Sequence, residues 1–369
     1  MTSGVRNPDI DMKNNFIIFQ SRILVAILTS LFGLFLYADT FAQNANSQQD
    51  RINELLYKIA LARDSISYEA LTTYEFFTKD GIRREQEKSI ILGSNRGWWQ
   101  TIIPEESKNR VVILRDNVYY IVYLDKDSVG VRLQSSRGGI IKVENIALLK
   151  KNYYVEFLPE EKIQNYLADV VKISPRNKDR SRIKIWVDKK TGFFFRFEKY
   201  DKDNNKVFQR FRENVVFNPN ADESIFNVEY SGAIPIEPKR KTYKSILEVA
   251  QELNIPLVTP QFPPSGFVLS EISVYRGEQP VVQLYYADGL WSFSLFQRKD
   301  KRKEREIEIG EDRNGRITWI SAVKDNIFYW YVGDLEDVDR DTIIKSFKSI
   351  KLFDKTKLSK TEQIIKKYY

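Results

Sequence analysis

Val118-Tyr119-Tyr120-Ile121-Val122-Tyr123-Leu124 is apolar on both faces of the strand it encodes. Val118, Tyr120 and Val122 point one way, and Tyr119, Ile121 and Tyr123 point the other. Phe193-Phe194-Phe195-Arg196-Phe197 repeats the pattern. A sheet wetted on one side alternates apolar and polar residues. These strands are therefore covered on both faces, or they line an apolar cavity on the second. A two-sided core beneath helices satisfies the pattern, and so does a hollow that holds an acyl chain. For the hollow, the candidate lining residues are Phe76, Trp98, Tyr120, Val122, Trp186 and Phe195.

Around these two stretches the chain is built mostly of strands. Gln48–Ala62 has helical spacing, with Ile52, Leu55, Leu56, Ile59 and Ala60 on one face. Tyr68–Thr78, Lys79-Asp80-Gly81 and Ile82–Leu92 predict a hairpin. Further strands are expected at Trp98–Ile103, Val111–Arg115, Tyr153–Leu158, Ala168–Ser174, Arg182–Asp188, Phe193–Asp201 and Lys206–Phe217, with a short helix at Val143–Lys151. Gly232–Lys241 carries two prolines and a basic cluster and reads as a linker. Beyond it, Thr242–Asn254 predicts a helix capped by Thr242. Strands follow at Phe267–Tyr275, Val281–Tyr286, Trp291–Gln297, Ile317–Val323 and Ile327–Val332, then a closing helix at Val338–Ser349. Residues 48–231 and 242–353 are thus the two expected domains, and 354–369 are a polar tail.

Ile23–Ala38 is almost wholly apolar, follows Lys13 and Arg22, and leads to the small residues of Thr40-Phe41-Ala42. This is the order of a secretory signal peptide, expected to span 1–42, with Met12 as an alternative start. An uncleaved anchor is the competing reading, although the run falls short of the ~20 residues a spanning helix needs. In both cases the body lies on the far side of the membrane.

The body contains no histidine and no cysteine. Serine–histidine triads, thiol nucleophiles and disulfides are excluded, and most zinc sites with them. No nucleophile elbow, phosphate loop or complete calcium loop is present, so no cofactor and no metal are called for. Paired carboxylates remain open in principle, but no stretch sets two in a catalytic context. The chain has 58 Lys+Arg against 50 Asp+Glu, a net +8 at pH 7. An exported basic surface meets anionic lipid or an acidic partner segment sooner than nucleic acid. Aromatic residues reach 13%, which suits β-sheet.

Two stretches carry a family resemblance. The first is Pro175-Arg176-Asn177-Lys178-Asp179-Arg180 followed by Arg182–Asp188 and Thr191-Gly192. The second runs from Pro263-Pro264-Ser265-Gly266-Phe267 through Tyr285-Tyr286-Ala287-Asp288-Gly289-Leu290 to Ser292–Phe296. Here the chain resembles the MucB/RseB family of periplasmic regulators. The resemblance implies an α+β protein of two parts. One is an antiparallel half-barrel with helices in its concave face, similar to the lipoprotein carriers LolA and LolB. The other is a smaller α+β domain with its own antiparallel sheet. It also implies a non-enzymatic regulator of sigma-E activity in an envelope stress response, which binds the periplasmic segment of an anti-sigma factor and senses lipid or lipopolysaccharide acyl chains. On that basis Asp288, Gly289, Leu290, Arg298, Lys299 and Arg302 are the candidate partner-binding residues. A homodimer and attachment to the membrane stay open. Two other readings are a lipid carrier of LolA/LolB type and an envelope hydrolase using carboxylates.

Overall fold

The computed structural model describes residues 48–345, apart from 63–64, 116–117, 125–127, 134–140, 178–179, 228–238, 256, 258, 260–262, 278, 301–304, 312–316, 325 and 334–340. The expected leader, most of the linker, Arg302 and the tail lie outside the described residues. Residues 48–62 form α1. Leu56, Ile59, Ala60 and Ala62 of its later turns are buried, as the apolar stripe requires.

The first sheet is antiparallel and has 11 strands. Six come from one run: β1 (Tyr68–Thr78), β2 (Gly81–Leu92), β3 (Arg96–Ile103), β4 (Arg110–Arg115), β5 (Val118–Tyr123) and β6 (Ser128–Leu133). Five come from a second: β7 (Tyr153–Ile163), β8 (Tyr166–Pro175), β9 (Arg182–Asp188), β10 (Phe194–Tyr200) and β11 (Lys206–Phe217). Each run is a meander in which sequence neighbours pair, as short polar turns dictate. The two meanders join where β1 pairs with β11, with Thr72 opposite Arg212 and Tyr74 opposite Arg210. Between the meanders, α2 (Ile146–Asn152) buries Ile146 and Leu149.

Register assigns the apolar residues of the first meander to opposite faces. Ile90, Trp98, Ile113 and Tyr120 are successive cross-strand partners and share one face. They form a cluster with Val111, Val118 and Val122 that is closed by Phe226, from the single helical turn Glu223–Phe226. Ser89, Trp99, Val112 and Ile121 are partners on the other face, as are Ile91, Gly97, Leu114 and Tyr119.

The second sheet is antiparallel with seven strands: β12 (Lys239–Tyr243), β13 (Val268–Arg276), β14 (Val281–Ala287), β15 (Ser292–Lys299), β16 (Arg305–Glu311), β17 (Ile317–Lys324) and β18 (Ile327–Gly333). Val249 of α3 (Ile246–Leu253) joins Val274, Leu284, Leu295, Ile320 and Tyr329 in its core.

Three expectations change here. Lys239–Lys241 belong to strand β12 rather than to the linker, because they find β13 as a partner. Thr242 lies in that strand and is not the cap; Ser245 caps α3, its hydroxyl accepting from the Glu248 N–H. No strand is expected between Trp291–Gln297 and Ile317–Val323, yet the charged Arg305–Glu311 forms β16 there. It is an edge strand, where charge is compatible with pairing on one side only. Of the expected closing helix, residues 341–345 are helical, and Ile343 is buried in the same core.

Candidate functional site

A cavity of about 260 Å3 opens on the sheet face opposite the Phe226 cluster. Its floor is laid by β1, β2 and β11, which carry Thr72, Tyr74, Glu87, Ser89, Arg210 and Arg212. Apolar walls come from Ile59 and Ala62 of α1, Ile91, Trp99, Ile141 and Phe193. Trp99 and Tyr119, which also lines the space, have ring centres 5.9 Å apart. One backbone position makes the α1 wall possible. Gly192 has φ +80°, and a Cβ there would meet the Lys58 carbonyl at 2.7 Å. The Lys58 ammonium then donates to the Lys189 carbonyl at 3.1 Å.

The floor is charged. The Tyr74 hydroxyl donates to Glu87. Burial pushes the Tyr74 phenol well up, and the neighbouring Glu87 charge adds to this. Burial also raises the Glu87 carboxyl above its ordinary value, against the pull of the Tyr74 hydrogen bond. Arg210 is brought down to about 10, first by burial and then by the like charge of Arg212, and it stays protonated at neutral pH. Arg212 Nη1 donates to the Phe194 carbonyl at 2.6 Å, and its guanidinium lies 5.3 Å from the Tyr68 ring centre and 5.0 Å from that of Phe193. Its Nε is buried without a partner.

None of the six expected lining residues lines this cavity. Trp98, Tyr120 and Val122 belong to the Phe226 cluster on the opposite face, one residue out of phase with Trp99 and Tyr119. Phe76 packs on Phe208, with ring centres 5.1 Å apart. Trp186 and Phe195 are core side chains in a cluster with Ala70, Ala168, Val170 and Phe193.

A second constellation joins the two motif stretches. Asp288, on the β14–β15 turn, is fully buried. Its Oδ2 accepts from the Tyr153 hydroxyl at 2.5 Å and from Arg180 Nη1 at 2.7 Å. Its Oδ1 accepts from the N–H groups of Leu290 and Trp291, at 2.9 and 2.7 Å. Asn152 Nδ2 donates to the carbonyls of Gly266 and Asp288, and the Arg180 guanidinium lies 4.8 Å from the Phe267 ring centre. Burial raises the Tyr153 phenol, and the Asp288 charge raises it further. The expectation that Asp288, Gly289 and Leu290 face a partner is thereby corrected. Leu290 is buried, and Gly289 packs so tightly that a Cβ would lie 2.2 Å from the Leu149 nitrogen. This turn is an internal joint. Of the remaining candidates, Lys299 is exposed, and Arg298 lies 5.2 Å from the Phe328 ring centre.

Residues 94–226, which run from β3 of the first sheet through the Phe226 turn, match the MucB/RseB N-terminal domain family. The sigma-E factor regulatory protein RseB of Escherichia coli (strain K12) is 24% identical over 328 residues, covering 84% of this chain and 93% of that protein. Residues 94–226 thus carry a MucB/RseB N-terminal domain, and the chain is similar to RseB over most of its length. RseB of Haemophilus influenzae is 22% identical over 261 residues, covering 68% of this chain and 77% of that protein. Among solved structures, the Pseudomonas aeruginosa MucA/MucB complex aligns with TM-score 0.53 at 15% identity, over 79% of this chain and 96% of that one. MucB in complex with MucA(peri) gives 0.52 at 14% identity, with the same coverage. At such identity the likeness is one of fold. In this chain both motif stretches supply the buried joint: Arg180 comes from the first, Phe267 and Asp288 from the second.

Proposed function

We propose that this protein is an exported, non-enzymatic regulator that grips the periplasmic segment of an anti-sigma factor and loosens when lipid or lipopolysaccharide enters its cavity. The observation that carries the reading is coverage. The alignment with the sigma-E regulatory protein RseB takes in 84% of this chain, too much for the first sheet alone. A carrier of LolA/LolB type needs only that sheet.

On this reading the first sheet is a half-barrel with helical residues on its concave side. Residues 1–42 are the export leader, 48–231 the ligand-binding domain, 232–238 the connector, and 239–353 the partner-binding domain. Arg298 and Lys299 are the cations offered to the partner. The mechanism is linkage. A ligand that favours the partner-free conformation weakens partner affinity by its differential binding energy, typically ~1–3 kcal/mol. The buried Arg180–Asp288 joint supplies a rigid mechanical connection between the cavity-bearing sheet and the second sheet.

The test is capture of interacting proteins from an envelope extract by the mature chain, with identification by mass spectrometry. An inner-membrane protein with a cytoplasmic sigma-binding domain is expected. Recovery of outer-membrane lipoproteins instead would favour the carrier and overturn the regulator.

A further inference from the structure

We propose that the cavity binds a single-chain amphiphile with an anionic head, its carboxylate or phosphate held by Arg210 and Arg212. The inference rests on the ligand-binding reading of the same cavity and narrows it to one chemical class.

Charge carries the first part. The floor places two arginines against one glutamate, Glu87, so the cavity has an excess of one positive charge. The excess is not neutralised locally. Glu87 takes its hydrogen bond from Tyr74. Among the described residues, Arg210 has neither a hydrogen bond nor an ion pair; its nearest aromatic neighbour is Phe197, 5.9 Å from guanidinium carbon to ring centre. Arg210 is half-buried and lines the cavity, so its donors are open to an anion or water that enters it. Arg212 adds a buried Nε with no partner. The two residues alternate on β11, so their side chains share one face, opposite Thr72 and Tyr74. Planar guanidinium forks suit carboxylate and phosphate oxygens.

Size and polarity carry the second part. Ile59, Ala62, Ile91, Trp99, Ile141 and Phe193 give the cavity apolar walls that a free inorganic anion would leave unused. At about 260 Å3 the space falls below the ~300–1,000 Å3 of drug-sized pockets. That volume admits one short chain at a time, whether of a single-chain amphiphile or one chain of a larger lipid.

Titration calorimetry on the mature protein with octanoate, octyl phosphate, 1-octanol and inorganic phosphate tests this. Octanoate or octyl phosphate is expected to bind at least tenfold more tightly than 1-octanol, and whichever is tighter identifies the head group. Inorganic phosphate is expected to give no measurable heat. In Arg210→Met the preference over 1-octanol should shrink to within twofold, while the melting temperature stays close to the parent's because the half-buried residue makes no hydrogen bond or ion pair among the described residues. Equal binding of octanoate, octyl phosphate and 1-octanol would overturn the anionic head and leave an apolar cavity standing. Inorganic phosphate binding as tightly as octyl phosphate would overturn the amphiphile. An Arg210→Met variant that keeps the full preference would overturn the assignment of the residue, and no binding by any probe would overturn the cavity as a ligand site without touching partner capture.

Discussion

Arg180 and Asp288 stand 108 residues apart in sequence and meet inside the fold, with Nη1 and Oδ2 separated by 2.7 Å. Arg180 follows β8 of the first sheet, and Asp288 follows β14 of the second. With Tyr153, Leu290 and Trp291 also donating, both carboxylate oxygens are doubly used. The joint is therefore a satisfied buried network, whose cost appears when one member is removed.

Asp288→Asn takes the facing carboxylate charge away from buried Arg180. It is expected to lower unfolding free energy by about 3–5 kcal/mol, read from urea denaturation. Arg180→Met combined with Asp288→Asn should recover much of that loss, since the amide oxygen still accepts from the Leu290 and Trp291 N–H groups. A single variant within ~1 kcal/mol of the parent would show that the pair is not closed in solution.

Gly289→Ala places a methyl group against the Leu149 backbone at a residue whose φ is +105°. Both clash and backbone strain oppose it, so a loss of more than ~1 kcal/mol is expected. Limited proteolysis should then open the chain near this turn. Unchanged cleavage and stability would contradict the tight packing.

Glu198 supplies a pH dependence. Burial would raise its carboxyl, but hydrogen bonds from Lys206 and Tyr200 and the charge of Arg196 outweigh burial and hold it below its ordinary 4.5. The folded value lies below the unfolded one, so this stabilisation is present above about pH 4.5 and is lost as pH falls through the folded value. Glu198→Gln should cost about 2–3 kcal/mol at neutral pH and flatten the acid limb of the stability profile. An acid limb identical in the two proteins would locate the linkage elsewhere.

Trp98→Ala and Trp99→Ala separate the two sheet faces. Trp98 packs in the Phe226 cluster, so its loss should cost about 2 kcal/mol and leave octanoate binding unchanged. Trp99 lines the cavity, so its loss should change octanoate affinity severalfold. The reverse pattern would invert the faces.

Much of this architecture was legible in the residues. The alternation in Tyr68–Thr78, Arg182–Asp188 and Lys206–Phe217 matches β1, β9 and β11 end to end, because each is bounded by polar turn residues. The edge strands β12 and β16 were not, since their lysines, arginines and glutamates carry no apolar alternation strong enough to mark a strand. Doubly apolar strands signalled two covered faces, but not which one is hollow. That depends on Phe226, over a hundred residues from Tyr120, closing one side. Arg210 and Arg212 look like ordinary wet-face residues between Phe208, Phe211 and Val215. Only the pairing of β11 with β1 shows that this face turns inward. Likewise, nothing local to Asp288-Gly289-Leu290 reveals that Arg180 reaches it, and an isolated Asp-Gly turn reads as surface.

The most direct test is recovery of the anti-sigma protein from envelope extract by the mature chain, quantified with and without added lipopolysaccharide. A fall of roughly 5- to 150-fold on adding lipid is the predicted result, set by the usual range of coupling energies. Equal recovery in both conditions would contradict the coupling of cavity to partner.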